Sequence, residues 1–186
     1  MMISKTSLPL LLGACILGVA LLSCAGPEAG EEPFDVVEDT TPEMQQAMEE
    51  GRVTSRELVE AHLLRIALFE ERVNGVINVN ADALAEADRL DQERAEGRIR
   101  GPLHGIPVAL KDNVHTTHLP TTGGALAFEG FVPPYEATLT TNLREAGAII
   151  LAKTVMTELA NFIGAGMPGN YSAVGGLRPE SLRSSA

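Results

Sequence analysis

Two five-residue apolar runs, Ile106–Leu110 and Ala148–Ala152, limit the folds open to this chain. Both are continuous rather than alternating, the pattern of strands buried on both faces, and both are too short for a core helix. Between them, Glu136–Ala146 reads as a helix that Gly147 ends. Buried strands joined by a helix of that length form a βαβ crossover, so the fold class is α/β with a parallel or mixed sheet. Each run is followed by a lysine, Lys111 after the first and Lys153 after the second.

The stretch before the first run is helical in pattern. Pro42–Glu50 reads as a short helix with Thr41 as cap and Gly51 as stop. Thr54-Ser55-Arg56-Glu57 is a capping box, and Leu58, His62, Leu63, Ile66 and Phe69 follow at helical spacing, which carries a second helix to about Arg72. Val76–Val79 suits a short strand or extended link. Asn80 can cap a third helix over Ala81–Ala95, with Leu84, Ala87 and Leu90 on its apolar face and Gly97 at its end. Thr121–Gly124 is a small-residue loop that permits close backbone approach, and Thr154 can cap a helix running through Asn161.

The first residues read differently. Lys5 is the only charge before Glu28, and Leu8–Leu22 is an apolar run interrupted by Pro9, Gly13 and Gly18. It is shorter than the ~20 residues of a membrane span, and its flanks are those of a secretory signal. Leu21-Leu22-Ser23-Cys24 resembles a bacterial lipobox, in which Cys24 is lipidated and becomes the mature N-terminus; the plainer alternative is ordinary cleavage near Ala25. Residues 1–23 are thus expected to be a lipoprotein signal peptide and residues 24–41 an acidic tether. Export to the bacterial cell envelope, lipid-anchored at Cys24, is the expected location. No cysteine follows Cys24, so neither a disulfide nor a thiolate metal site is expected. Removing residues 1–23 leaves 13 basic against 25 acidic residues, a net of −12. Such a surface repels phosphate backbones, which argues against a nucleic-acid partner; membrane attachment would come from the lipid.

Among chemically capable residues Lys111 stands first. A lysine closing a buried strand is expected to lose part of its ammonium solvation, which lowers its pKa and lets it act as a base. Taken alone, a lysine after an apolar strand is as well read as a snorkelling surface residue. Lys153 is expected to be a solvated strand end. Asp112 would either orient Lys111 or bond nearby backbone. His115 and His118 lie near Asp112 but lack a fourth ligand, so they read as polar loop surface rather than a metal site. His62 reads as a partly buried packing residue. Ser172 lacks the Gly-x-Ser-x-Gly spacing of a nucleophile elbow and reads as a loop serine.

Gly101-Pro102-Leu103-His104-Gly105-Ile106-Pro107-Val108-Ala109-Leu110-Lys111-Asp112-Asn113 resembles the catalytic-lysine strand of the amidase signature family. Ordered matches continue through Leu119–Gly124, Glu136–Leu139 and Leu143–Thr154, and earlier through Asn78–Ala87; the likeness spans roughly Thr41–Gly176. It implies the N-terminal part of an α/β/α fold with a mixed central sheet, incomplete here, so that residues 42–186 form a truncated N-terminal portion of an amidase domain. It implies hydrolysis of carbon–nitrogen bonds in small carboxamides or peptide amides by a Ser–cis-Ser–Lys triad, with no cofactor. Lys111 takes the place of the family's lysine. The family's serines sit in a Gly-Gly-Ser-Ser-Gly-type block and the helix after it, and that block does not occur in this sequence. Ser184-Ser185 stands near the position of the bridging serine, but Arg183 precedes it where glycine belongs. The fragment is therefore expected to be inactive by itself, and the alternative is a non-catalytic lipoprotein that keeps part of the fold as a binding or scaffold module.

Overall fold

A computed structural model of the chain describes residues 34–162, 166, 169 and 171–177. The lipobox with Cys24 and the Ser184-Ser185 pair lie outside the described residues. The described chain begins against the folded body rather than on a free tether. Phe34 and Val36 pack on a cluster of Met44, Ala47, Met48, Val53, Leu58 and Ile106, and the Arg52 guanidinium lies 5.8 Å from the centre of the Phe34 ring.

Four helices and a three-stranded sheet follow. Helix α1 is Thr41–Glu49, and its cap is Thr40 rather than Thr41, because the Glu43 carboxylate reaches back to the Thr40 N–H and hydroxyl. Helix α2, Ser55–Val73, starts at the expected box of Thr54 and Glu57. Its first N–H groups also donate to a carboxylate from a later helix: Ser55 N and Arg56 N sit 2.8 and 3.0 Å from Asp91. That anion at the positive helix end ties the two helices together. Asn74 ends α2 in the left-handed conformation, which asparagine tolerates better than most residues.

Strand β1 is Val76–Val79, helix α3 is Ala83–Ala95, and strand β2 is Pro107–Lys111. Helix α4, Thr138–Glu145, leads into strand β3, Ile149–Thr154. The order is β1-β3-β2, with β2 parallel and β1 antiparallel to β3, a mixed sheet. A small hairpin, β4 (Tyr171–Ser172) with β5 (Gly176–Leu177), follows. Central β3 is buried on both faces. Ile149, Leu151 and Ala152 pack on α2 and α3 through Val59, Ala87 and Leu90, whereas Ile150 packs with Leu110, Leu119 and Leu143 on the side of α4. Three layers result, α2 and α3 against the sheet and α4 with the loop after β2 on the other face.

Candidate active site

The parallel pair β2 and β3 presents its carboxyl ends together, the end of an open α/β sheet where ligands are usually bound. Lys111 and Lys153 both stand there. Leu110 pairs with Lys153 and Lys111 with Thr154, so the two lysines lie on opposite faces of the sheet. Their surroundings reverse the expectation from sequence. Lys111 is exposed, and Lys153 is fully buried.

A β-bulge accounts for Lys153. The register passes from Val108 opposite Ile150 to Ala109 opposite Ala152, leaving Leu151 as the extra residue in β3. Regular alternation would put Lys153 with Ile149 and Leu151 on the α2/α3 face. One extra residue turns it instead to the face of Ile150 and Leu110, where the loop after β2 covers it. Lys111 continues the row of Pro107 and Ala109, which opens onto a groove of about 400 Å³ lined also by His62, Ile66 and Phe69 of α2. Along that row Pro107 is half-buried and Ala109 is exposed.

Lys111 Nζ donates to the carbonyl of Val155 at 2.8 Å, and Val155 N in turn donates to Gly75 O at 2.8 Å. The amine is thus held at the mouth of the strand pair. Behind it, Asp112 is wholly buried and faces the loop. Its carboxylate accepts from Thr122 N, Gly124 N (3.2 Å) and, through a short contact, the Thr122 hydroxyl; its main-chain oxygen accepts from Gly123 N at 3.0 Å. Lys153 Nζ lies 3.8 Å from the same carboxylate and donates to Val114 O at 2.6 Å and Thr121 Oγ1 at 2.8 Å. Burial pushes the Lys153 amine down from 10.5 to about 8, and the Asp112 charge opposes that fall. Of the two roles open to Asp112, the structure therefore shows bonding to loop backbone and to Lys153.

The Thr121–Gly124 loop does make the close approach its small residues permit. Gly124 has φ +74°, and a Cβ there would meet Met156 O at 2.5 Å. Its carbonyl accepts from Ala173 N at 3.0 Å and from the Ser172 hydroxyl at 3.3 Å, which joins the loop to β4. The N–H groups of Gly123 and Gly124 are both used on Asp112, so neither is free to receive an oxyanion, and the loop forms one wall of the pocket beside it. A pocket of about 240 Å³ opens beside it, lined by Asn113, His115, Gly123, Phe128 and Phe131.

The other sequence candidates have local partners. His115 is tilted against Tyr135 with ring centres 5.2 Å apart. His118 meets the Arg144 guanidinium, and burial together with that cation holds its pKa below the usual histidine value. Among the described residues no group of three or more His, Cys, Asp or Glu is placed to hold a metal. His62 is half-buried, with Nδ1 2.7 Å from Leu58 O. The described serines are Ser55 and Ser172, both fully buried. Ser172 Oγ accepts from Gly175 N at 3.0 Å as it donates to Gly124 O, the bonding of a structural loop serine.

Comparison with known proteins agrees with this geometry. The Amidase family profile matches residues 57–175, which include β1, α3, the Lys111 strand and the whole Thr121–Gly124 wall. The chain belongs to the amidase family. The native peptide amidase of Stenotrophomonas maltophilia superposes on 81% of this amidase chain with a TM-score of 0.77 and 43% identity, matching 31% of its own length. An amidase family protein of Bacillus anthracis covers 77% with a TM-score of 0.73 and 36% identity, over 29% of its length. A component of the glutamyl-tRNA(Gln) amidotransferase of Synechococcus sp. (strain CC9311) is 44% identical over 119 residues, 63% of this chain and 24% of that component. The amidase chain thus spans about a quarter of the length of the curated relatives it matches.

The residue that sequence reasoning missed is Lys153. Its burial depends on the bulge, which a continuous apolar run does not reveal. The one available signal was an acid, Asp112, directly after a buried strand, a position where a carboxylate calls for a cation or several donors.

Proposed function

We propose that this chain carries the lysine-bearing portion of an amide hydrolase, acting on the carbon–nitrogen bond of small carboxamides or peptide amides, with Lys111 as general base. The observation that supports this reading is the placement of Lys111 at the carboxyl end of the parallel strand pair, its amine held on Val155 O, within the segment that the family profile matches. In the family's scheme an unprotonated Lys111 Nζ takes the proton of a bridging serine, which takes that of the nucleophilic serine. The nucleophile's oxygen bonds to the carbonyl carbon, the C–N bond breaks, and the nitrogen leaves protonated as an amine or ammonia. Water then opens the acyl-enzyme, releasing the acid and restoring the serine.

Neither described serine fits the nucleophile's part, since both are buried and Ser172 is committed to the Gly124 loop. These 186 residues by themselves are accordingly proposed to lack turnover. Purified chain assayed against a panel of peptide amides and small carboxamides should give no hydrolysis above an equal concentration of the Lys111→Ala chain. Turnover that titrates with the protein would refute this.

The cellular setting is proposed to be the bacterial envelope, with Cys24 lipidated. Support comes from the signal-like run ahead of it and the acidic, glycine- and proline-containing stretch after it. Expressed in a bacterium, the wild-type chain is expected in the membrane fraction and Cys24→Ala in the soluble or unprocessed fraction; equal partitioning of the two would contradict lipid anchoring. An exported, acidic chain weighs against the tRNA-linked work named for the amidotransferase relatives. A second reading, a non-catalytic binding or scaffold module, is favoured by the exposed Phe69 of α2, which lines the apolar groove, and by the exposed Leu64 and Leu68 on another face of that helix.

A further inference from the structure

Lys153 and Asp112 form a wholly buried ion pair that belongs to no step of the mechanism, yet the bonds they make reach the site. We infer that Asp112 and Lys153 are positioning residues of the Lys111 site, fixing the turn that follows Lys111 and holding the Thr121–Gly124 wall in place. The inference takes its functional meaning from the reading of Lys111 as the reacting amine.

The bonds divide the work. Asp112 N donates to Thr154 O at 3.1 Å, which pins the residue after Lys111 to the end of β3. Lys111 O accepts from Val114 N at 2.9 Å, closing a turn, and Val114 O is the acceptor that Lys153 Nζ holds at 2.6 Å. Lys153 also holds the Thr121 hydroxyl, while the Asp112 carboxylate holds the next residues, Thr122 and Gly124. Lys111 and the wall can therefore shift only if this pair is pulled apart or exposed to water. Two opposed charges suit this task because neither can leave without stranding the other in a site shielded from solvent.

A titratable positioning group leaves a signature that a passive packing residue does not. Lys153 ordinarily titrates at 10.5 when solvated but is held near 8 here, so any opening that wets it takes up a proton between those values. Opening therefore becomes harder as pH rises. The charged group in contact with Lys153 is Asp112; along the same loop His115 is turned onto Tyr135, and His118 onto Arg144, which is held by Glu86 and Glu136. With His118 held below the usual histidine value, it is neutral throughout the alkaline range.

The test is amide hydrogen exchange of the full, detergent-solubilised chain from about pH 7 to 9, corrected for intrinsic rates and referenced to α3. Protection over residues 112–124 should rise about tenfold in the wild type. Lys153→Met should abolish that rise and should speed acylation of Lys111 by an amine reagent several-fold, read by peptide mass spectrometry. A flat wild-type profile, an unchanged profile in Lys153→Met, or a Lys111 rate within about twofold of wild type would overturn the inference. Should the variant not fold, the wild-type profile decides. None of these readouts needs turnover, so they succeed or fail apart from the assignment of hydrolase activity.

Discussion

Asp112→Ala is expected to destabilise the fold by about 3–5 kcal/mol, the cost of stranding one member of a buried ion pair. Among the described residues the substitution removes the one charge paired with Lys153, and it leaves the N–H groups of Thr122 and Gly124 without their carboxylate acceptor. Lys153 can answer by losing its proton more readily and Gly124 N keeps the Thr122 hydroxyl oxygen at 3.1 Å, but the buried Thr122 N–H loses its acceptor. Lys153→Met should cost less, about 2–3 kcal/mol, because it strands the buried Asp112 charge but leaves that carboxylate its loop donors. Equilibrium denaturation of the two variants checks the asymmetry. Equal losses would mean that the pair, and not the carboxylate's hold on the loop, carries the energy.

Gly124→Ala is expected to cost roughly 2–4 kcal/mol, from two sources that add. The left-handed backbone at φ +74° is unfavourable for any L side chain, and the new Cβ would press on Met156 O, a main-chain atom that cannot rotate away. The chain can relieve the clash only by moving the wall off β4 and off the Asp112 carboxylate. A drop in melting temperature with lost exchange protection at residues 121–124 is the expected pair of observations. A variant as stable as wild type would show that the wall does not need its present course.

Much of the architecture was legible in the residues. The capping box at Thr54–Glu57 placed α2, and two continuous apolar runs with a helix between them indicated the parallel β2–β3 pair. Differences arose where tertiary bonds outweighed local pattern. Thr154, expected to cap a helix, instead finishes β3, since Asp112 N takes its carbonyl. The segment expected to be helical through Asn161 makes only a 3-10 turn, Glu158–Asn161, because Leu159 N is drawn to Gly123 O and Leu159 and Ala160 take positive φ. Helix α3 begins at Ala83 because the Asn80 side chain turns inward, its amide donating to Ile150 O and its oxygen accepting from Asp82 N.

At the site the family's motif pointed to the end of β2 but not to the state of the lysines there. Burial was expected at Lys111 and solvation at Lys153; the bulge at Leu151 buries Lys153, while Lys111 follows Ala109 on the open row of β2. A period-two reading of a strand cannot foresee a bulge, because one extra residue inverts every face beyond it.

Whether this segment is a working amidase part built around Lys111 is tested most directly by a chimera. In it, residues 57–175 replace the matching segment of the Stenotrophomonas maltophilia peptide amidase. Peptide amidase activity is expected from the chimera, falling by about 10²–10⁴-fold in kcat on Lys111→Ala while the variant stays folded. A folded chimera without activity, or one whose activity survives Lys111→Ala, would contradict the assignment of Lys111 as general base.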